Sequence, residues 1–122
     1  EALIALAANI YLSLMGKEGL REVATQCLRK SAYLKQKVTE IEGVEIPFSG
    51  PTYNEFTLRT PVAASDVLGQ LETRNILGGV AVGRFFADRP NDFLVAVTEL
   101  HTREQLDYFA AAVADIVSRK AQ

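Results

Sequence analysis

The chain has 122 residues, of which 48% are hydrophobic and 23% are charged, so it is long enough for one domain with its own core and too short for two. Thirteen basic against fifteen acidic residues give a net charge of -2, which leaves no large positive field to attract nucleic acid or an anionic membrane. We therefore expect a single globular domain that interacts with a small molecule or with another protein.

The first predicted element is a helix from Ala2 to Met15 in which almost every residue is apolar. Such a helix has no solvent face and needs cover all round, yet it is too short to span a bilayer, which takes roughly 20 residues. We expect its neighbours to lie in a preceding domain or in another subunit, and the isolated chain to self-associate. Glu1 is then interpreted as a cut rather than a biological start, since no initiating Met or leader precedes the helix.

A second helix is predicted from Lys17 to Glu42, after a break at Gly16 and before Gly43. A coiled coil would need more heptads and larger seam residues, so packing of this helix against a sheet is favoured. The inward seam, at spacings of four and three, consists of Leu20, Ala24, Cys27, Ser31, Leu34, Val38 and Ile41. The basic residues off the seam are interpreted as a solvated face: Arg21, Arg29, Lys30, Lys35 and Lys37.

Two strands are predicted next. Alternation over residues 44–48 indicates a half-buried strand, which Pro47 restricts to an edge because proline has no N–H to donate. The second strand, from Tyr53 to Arg59, places Asn54 on the same face as Phe56. Neighbouring backbone groups usually satisfy such a buried amide, but the start of a strand beside a turn is also where a chain commonly leaves a sheet toward a cleft.

A helix from Ala64 to Arg74 and a third strand from Val80 to Phe85 follow. Between them, Gly78 and Gly79 supply backbone freedom. They allow either a tight turn or the close approach of a ligand or another chain, and the turn is the commoner reason.

The last predicted unit is an apolar strand followed by an amphipathic helix, and we expect it to organise the domain. The strand, Phe93 to Val97, has five consecutive apolar residues, so it should be central and covered on both faces. Thr102 and Gln105 fit a capping box at the start of the helix. The helix then presents one apolar stripe to the sheet: Leu106, Phe109, Ala110, Val113, Ile116 and Val117.

The sequence shows no self-contained catalytic centre. Its glycines do not match a dinucleotide-binding or phosphate-binding loop, and the single His101 cannot make a metal cluster. Beside a helix start, a capping-region role for His101 is commoner than general-base chemistry. Cys27 is interpreted as a core residue rather than a reactive thiol, and Glu99 and Arg84 as structural ion-pair candidates.

Four motifs occur in order along nearly the whole chain. They are Tyr11–Leu20, Gly50–Phe56, Ile76–Val80, and Val97–Glu99 with Thr102–Glu104. Together they resemble the C-terminal part of subunit 1 of the glycine cleavage system P-protein. Each motif alone is weak, whereas four in register are specific. Thr52 departs from the pattern, because the family usually has an aromatic or other bulky residue there.

The resemblance implies an α/β fold class: an α+β small domain, the C-terminal domain of the aminotransferase-like fold type I of pyridoxal phosphate enzymes. It would have a short, mostly antiparallel sheet covered by helices. Residues 1–42 would be helices leading in from a large domain, and residues 43–122 the sheet and its helices. The implied activity is glycine dehydrogenase (decarboxylating), in which glycine loses carbon dioxide and its aminomethyl group passes to the lipoyl arm of the H-protein.

The resemblance also implies residue roles. The lysine that binds pyridoxal phosphate would belong to the partner, subunit 2, so none of the five lysines here takes that role and the chain alone is expected to be inactive. Asn54, in the Asn-Glu-Phe motif, would lie near the cofactor and donate a hydrogen bond to the glycine carboxylate. A cytoplasmic location is expected.

A different class of function remains open. The order β, α, β, β, α from Tyr53 onward is also ferredoxin-like, an arrangement used by small-molecule-binding regulatory modules. Element order alone does not decide function. The long apolar first helix argues against a free-standing regulatory module, which has no reason to carry it.

Overall fold

The structure is a computed structural model that describes residues 1–120. Within this range the helices are α1 (Ala2–Thr39), α2 (Ala64–Glu72) and α3 (Arg103–Lys120), and the strands are β1 (Glu55–Arg59), β2 (Val80–Ala81) and β3 (Asp92–Ala96). The strands pair antiparallel in the order β1-β3-β2. The apolar strand is therefore central, as predicted.

The core lies between one face of the sheet and the helices. Phe56 lies opposite Val95 and Leu58 opposite Phe93 in the β1–β3 ladder, and all four side chains are buried. The predicted stripe of α3 is confirmed, because each of its members is buried: Leu106, Phe109, Ala110, Val113, Ile116 and Val117. These residues form one apolar cluster with the strand side chains.

The start of α3 is fixed by the predicted capping box. The Thr102 N–H donates to Gln105 Oε1 at 2.8 Å, and the Gln105 N–H donates to Thr102 Oγ1 at 3.2 Å. Each side chain thus satisfies a backbone donor that the helix start leaves unpaired. The Tyr33 hydroxyl on α1 donates to Asp107 Oδ1 at 2.5 Å, which ties the first turns of α3 to α1.

The opposite face of the sheet is open. Leu94 is half-buried and Ala96 is exposed, so the expectation that β3 is covered on both faces is wrong for this chain. On that side the strands border an apolar groove of about 490 Å³. The groove is lined by Phe48, Thr57, Val80, Val82, Phe85, Phe86, Arg89 and Leu94.

α1 breaks where the sequence predicted. Gly16 has φ 60° and ψ -173°, a backbone conformation that glycine adopts without a Cβ penalty. After the break, only the middle of the predicted seam is buried: Cys27, Ser31, Leu34 and Val38. Leu20 and Ala24 are exposed, and the helix ends at Thr39 instead of Glu42, so the predicted seam is too long. Leu34 and Val38 join the strand core, which confirms packing against the sheet over a coiled coil.

The segment of α1 before the break has no cover from the rest of the described chain. Every residue from Ala2 to Leu14 is exposed. Leu3, Ile4 and Leu14 are 78%, 74% and 82% exposed. An apolar helix in water at this length is unusual for a stable monomer.

Three predicted strands are shorter than expected. The strand predicted from Tyr53 begins at Glu55, because residues 53 and 54 form a bend. Residues 44–48 form only a single bridge, between Glu45 and Arg59, because Pro47 cannot continue the ladder. The strand predicted to run to Phe85 ends at Ala81, and residues 82–84 form a 3₁₀ turn. The Phe85 N–H donates to the Val82 carbonyl at 2.9 Å, which replaces further pairing with β3.

The predicted α2 helix is also two residues too long. The structure ends it at Glu72, and Asn75 then takes a positive φ of 60°. The Ile76 N–H donates back to the Leu71 carbonyl at 3.0 Å. This closing turn stops the helix before Arg74.

Glycine is required at position 79 because the backbone of β3 lies directly against it. It has φ 137°, and a Cβ at this position would lie 2.0 Å from the carbonyl oxygen of Leu94 on β3. A Cβ on Gly78 would lie 2.5 Å from Leu71 Cδ1. The close approach is therefore that of β3 and α2 of the same chain, and not of the ligand or other chain considered for the glycine pair.

Phe109→Ala should lower the free energy of unfolding by roughly 3 to 5 kcal/mol, because it removes a buried ring and leaves a cavity. The neighbouring Tyr108 is 54% exposed, so Tyr108→Ala is a matched control with a small expected effect. Urea unfolding measures both. A loss below about 1 kcal/mol for Phe109→Ala would mean that α3 does not organise the core.

The 122-residue chain should self-associate through the exposed segment of α1. Light scattering should give a mass above 13.4 kDa that rises with concentration. A variant with Leu3→Gln, Ile4→Gln and Leu14→Gln should shift toward the monomer, since it removes apolar surface without touching the core. A monomeric parent chain with an ordered α1 would contradict this expectation.

Candidate functional site

The candidate site lies where the start of β1 and the end of β3 meet α1. Asn54 immediately precedes β1, and its carbonyl accepts the Val97 N–H at 2.8 Å, one step beyond the Glu55–Ala96 pair. The residue is half-buried. Among residues 1–120, no hydrogen bond involves the Asn54 side-chain amide. The backbone of Asn54 is therefore fixed by the sheet while its amide is left available.

The two residues before Asn54 contact α1. Lys35 Nζ donates to Thr52 Oγ1 at 2.5 Å and lies 5.8 Å from the centroid of the Phe56 ring. The pKa of Tyr53 is raised, mainly by a hydrogen bond with the adjacent Cys27 thiol and secondly by burial. Lys35 had been interpreted as part of a solvated basic face, and that interpretation is wrong for it, because its ammonium is engaged by the segment that leads into β1.

Glu99 lies on the same side of α1. The Cys27 thiol donates to Glu99 Oε2 at 3.4 Å, and the Lys30 ammonium donates to the Glu99 backbone carbonyl. Lys30, like Lys35, is thus half-buried and bound rather than simply solvated. Cys27 is 5% exposed, which agrees with its interpretation as a core residue. The ion-pair interpretation of Glu99 and Arg84 is wrong, since neither forms a salt bridge within the described part of the chain.

His101 has a structural role at the turn before α3. Its Nδ1 accepts the Thr98 N–H at 3.0 Å and lies 3.3 Å from Thr98 Oγ1. A ring nitrogen that accepts a backbone N–H orders the loop, as a residue of the capping region does. The geometry favours this interpretation over a general base.

Ser31 was predicted only as a seam position, and the structure gives it a distinct environment. Its side chain is 1% exposed, and its Oγ has no hydrogen-bond partner in the described chain. It lies one turn after Cys27 and one turn before Lys35 on the same face of α1.

The sequence reasoning missed a buried ion cluster at the opposite end of the sheet. Asp92 is 1% exposed and accepts from Arg59 Nε at 2.7 Å and Arg59 Nη2 at 2.9 Å. Arg89 Nη1 adds a contact at 3.3 Å. Hydrogen bonding to Arg59 is the main cause that lowers the pKa of Asp92, against the opposing effect of its burial. Arg59 and Asp92 are a cross-strand pair, so correct pairing of β1 with β3 would have revealed them.

Residues 1–120 contain neither a candidate metal cluster nor a membrane-spanning helix. No three His, Cys, Asp or Glu side chains lie together in a way that could hold a metal ion. In the same part of the chain, none of the helices combines the length and the apolar character needed to cross a bilayer.

The chain matches a known protein family over most of its length. The family model described as glycine cleavage system P-protein matches residues 1–113. Two similar curated proteins are named probable glycine dehydrogenase (decarboxylating) subunit 1. The protein from Moorella thermoacetica is 43% identical over 97% of this chain and 27% of its own length. The protein from Chlorobium limicola is 43% identical over 93% of this chain and 25% of its own length. The chain therefore spans about a quarter of these relatives.

Solved structures agree with the fold. A crystal structure of glycine decarboxylase (P-protein) of the glycine cleavage system, in inhibitor-bound form, is 34% identical with a TM-score of 0.80, over 88% of this chain and 24% of that one. A NifS-like protein, 20% identical with a TM-score of 0.68 over 84% of this chain and 30% of its own, shows the fold alone. The predicted fold class, a small domain of fold type I with a short antiparallel sheet and covering helices, is confirmed.

Proposed function

The chain belongs to the glycine cleavage system P-protein family, and on that premise we propose that it is the C-terminal small domain of a glycine dehydrogenase (decarboxylating) subunit 1. In the complete enzyme, glycine loses its carboxylate as carbon dioxide and the aminomethyl group passes to the lipoyl arm of the H-protein. Residues 1–42 connect to a large domain, subunit 2 completes the enzyme, and the enzyme is cytoplasmic. The 122-residue chain alone is inactive.

We assign none of the described lysines to pyridoxal phosphate. Lys30 and Lys35 are bound to the Glu99 carbonyl and to Thr52, and Lys37 lies 3.8 Å from Glu40. Lys17 is exposed in α1, and the side chain of Lys120 lies outside the described part of the structure. These contacts support a cofactor bound through a lysine elsewhere, in subunit 2, and no step of the reaction is assigned to a lysine of this chain.

The substrate proposal rests mainly on the Asn54 amide, which has no hydrogen-bond partner in the described chain. The residue is half-buried, and its amide makes no hydrogen bond within residues 1–120, whereas its backbone is held by Val97. A half-buried N–H donor is satisfied by a ligand acceptor or by water, and a carboxylate is the stronger acceptor. The ammonium groups of Lys30 and Lys35, on the neighbouring face of α1, attract an anionic group.

In this role Asn54 acts on the orientation of the substrate. One N–H of the amide donates to a carboxylate oxygen of glycine, which fixes the direction of the bond between the α-carbon and the carboxylate. Holding the bond to be broken in a productive direction lowers the barrier, because the cost of orientation is met on binding.

The regulatory-module alternative has less support. The element order from β1 to α3 fits a ferredoxin-like arrangement, as noted above, but the family match extends through α1 to residue 1. The uncovered apolar segment of α1 is explained by a larger enzyme and is unexplained in a free-standing module.

Asn54→Ala in the complete enzyme should lower kcat/KM for glycine by at least about tenfold, which corresponds to about 1.4 kcal/mol. Cofactor binding and folding should be nearly unchanged, because the backbone hydrogen bond to Val97 is retained. Steady-state glycine kinetics and the thermal unfolding midpoint measure the two expectations.

Asn91→Ala is the matched control. Asn91 is also half-buried, also precedes a strand, and its carbonyl accepts the Thr60 N–H at 3.1 Å, but it lies at the other end of the β1–β3 ladder. Its replacement should leave glycine kinetics within about twofold. Equal losses in both variants, or wild-type kcat/KM in Asn54→Ala, would remove Asn54 from the substrate site.

A further inference from the structure

Lys35 contacts the chain on both sides of Asn54. Its ammonium lies 2.5 Å from Thr52 Oγ1 and 5.8 Å from the centroid of the Phe56 ring. Thr52 and Phe56 are two residues before and two residues after Asn54. We propose that Lys35 is the positioning residue for Asn54, an inference that rests on the proposed function of that amide.

α1 is suited to hold this segment because the helix itself is fixed. Leu34 and Val38, on either side of Lys35 in the sequence, are 2% and 0% exposed, so the rotation of the helix is set by the core. Cys27, two turns earlier on the same face, adjoins Tyr53. The two contact points are eight residues apart, about 12 Å along a helix, and between them they hold residues 52 and 53 against α1.

The sheet alone does not orient the Asn54 amide. The Val97 N–H fixes the carbonyl of Asn54, but rotation about the side-chain bonds is not restrained by any hydrogen bond within residues 1–120. Lys35 therefore acts on Asn54 through the path of the chain, because it holds Thr52 and the Phe56 ring on either side of that residue.

Lys35 is thus distinct from the other lysines of the helix. Lys37, two residues later, lies 3.8 Å from Glu40 and 6.0 Å from the centroid of the Tyr33 ring. Its side chain is on a different face and does not reach residues 52–56. Lys37→Met is therefore a control for loss of one positive charge from α1.

The test uses the complete enzyme with Lys35→Met, which keeps the stem and removes the ammonium. We expect kcat/KM for glycine to fall about three- to tenfold, with a smaller loss for Lys35→Arg. In an enzyme that already carries Asn54→Ala, Lys35→Met should cause less than about a twofold further loss, because residues that act through one another are not additive. Lys37→Met should change kcat/KM for glycine by less than about twofold, both in the parent enzyme and in the enzyme with Asn54→Ala. Thr52→Val, which removes the other half of the contact, should act in the same direction as Lys35→Met.

The outcomes separate this inference from the proposed function. If Asn54→Ala lowers kcat/KM and Lys35→Met does not, only the positioning role is overturned. If Lys35→Met costs the same factor with and without Asn54, Lys35 binds substrate directly and does not act through Asn54, which also overturns it. If Asn54→Ala has no effect, both proposals fail. Thermal unfolding midpoints identify a variant that loses activity through misfolding, and in that case Thr52→Val decides.

Discussion

The pairing of β1 with β3 is the constraint on which the rest of the structure depends. Its five residue pairs, from Glu55–Ala96 to Arg59–Asp92, bring the apolar side chains of both strands to one face, where α3 buries them. The same ladder also positions the polar residues at each of its two ends. At one end the Asn54 backbone is bound to Val97, and at the other Arg59 reaches the buried carboxylate of Asp92. A slip of one residue would expose the core and separate each of these pairs.

Helices cover only one face of the sheet in the described part of the chain. α3 and the middle of α1 cover one face of the sheet, whereas the groove on the other face and the segment of α1 before Gly16 remain apolar and exposed. These surfaces are the basis of our proposal that the chain is a small domain within a larger enzyme. The polar end of the sheet fits the same interpretation, because its side chains could orient a substrate, and we propose that the lysine that binds the cofactor lies elsewhere in the enzyme.

The sequence predicted the parts of the fold that local patterns determine. The stripe of α3, its capping box and the break at Gly16 each follow from spacing or from one residue's backbone preference. The errors arose where tertiary contacts decide. Val82–Arg84 has strand-like composition but turns away from β3, and Gly79 is required by the Leu94 carbonyl, which no local pattern reveals. Lys35 was missed for the same reason, since a lysine on a helix is ordinarily solvated and only the path of residues 52–56 brings it into contact.

The central claim is that this chain orients the substrate while another part of the enzyme holds the cofactor. Borohydride reduction of the complete enzyme, followed by peptide mass mapping, tests it most directly, because reduction leaves a pyridoxyl group on the lysine that binds pyridoxal phosphate. We predict that the group is found outside residues 1–122 and on none of the five lysines of this chain. A pyridoxyl group on Lys30 or Lys35 would contradict the account.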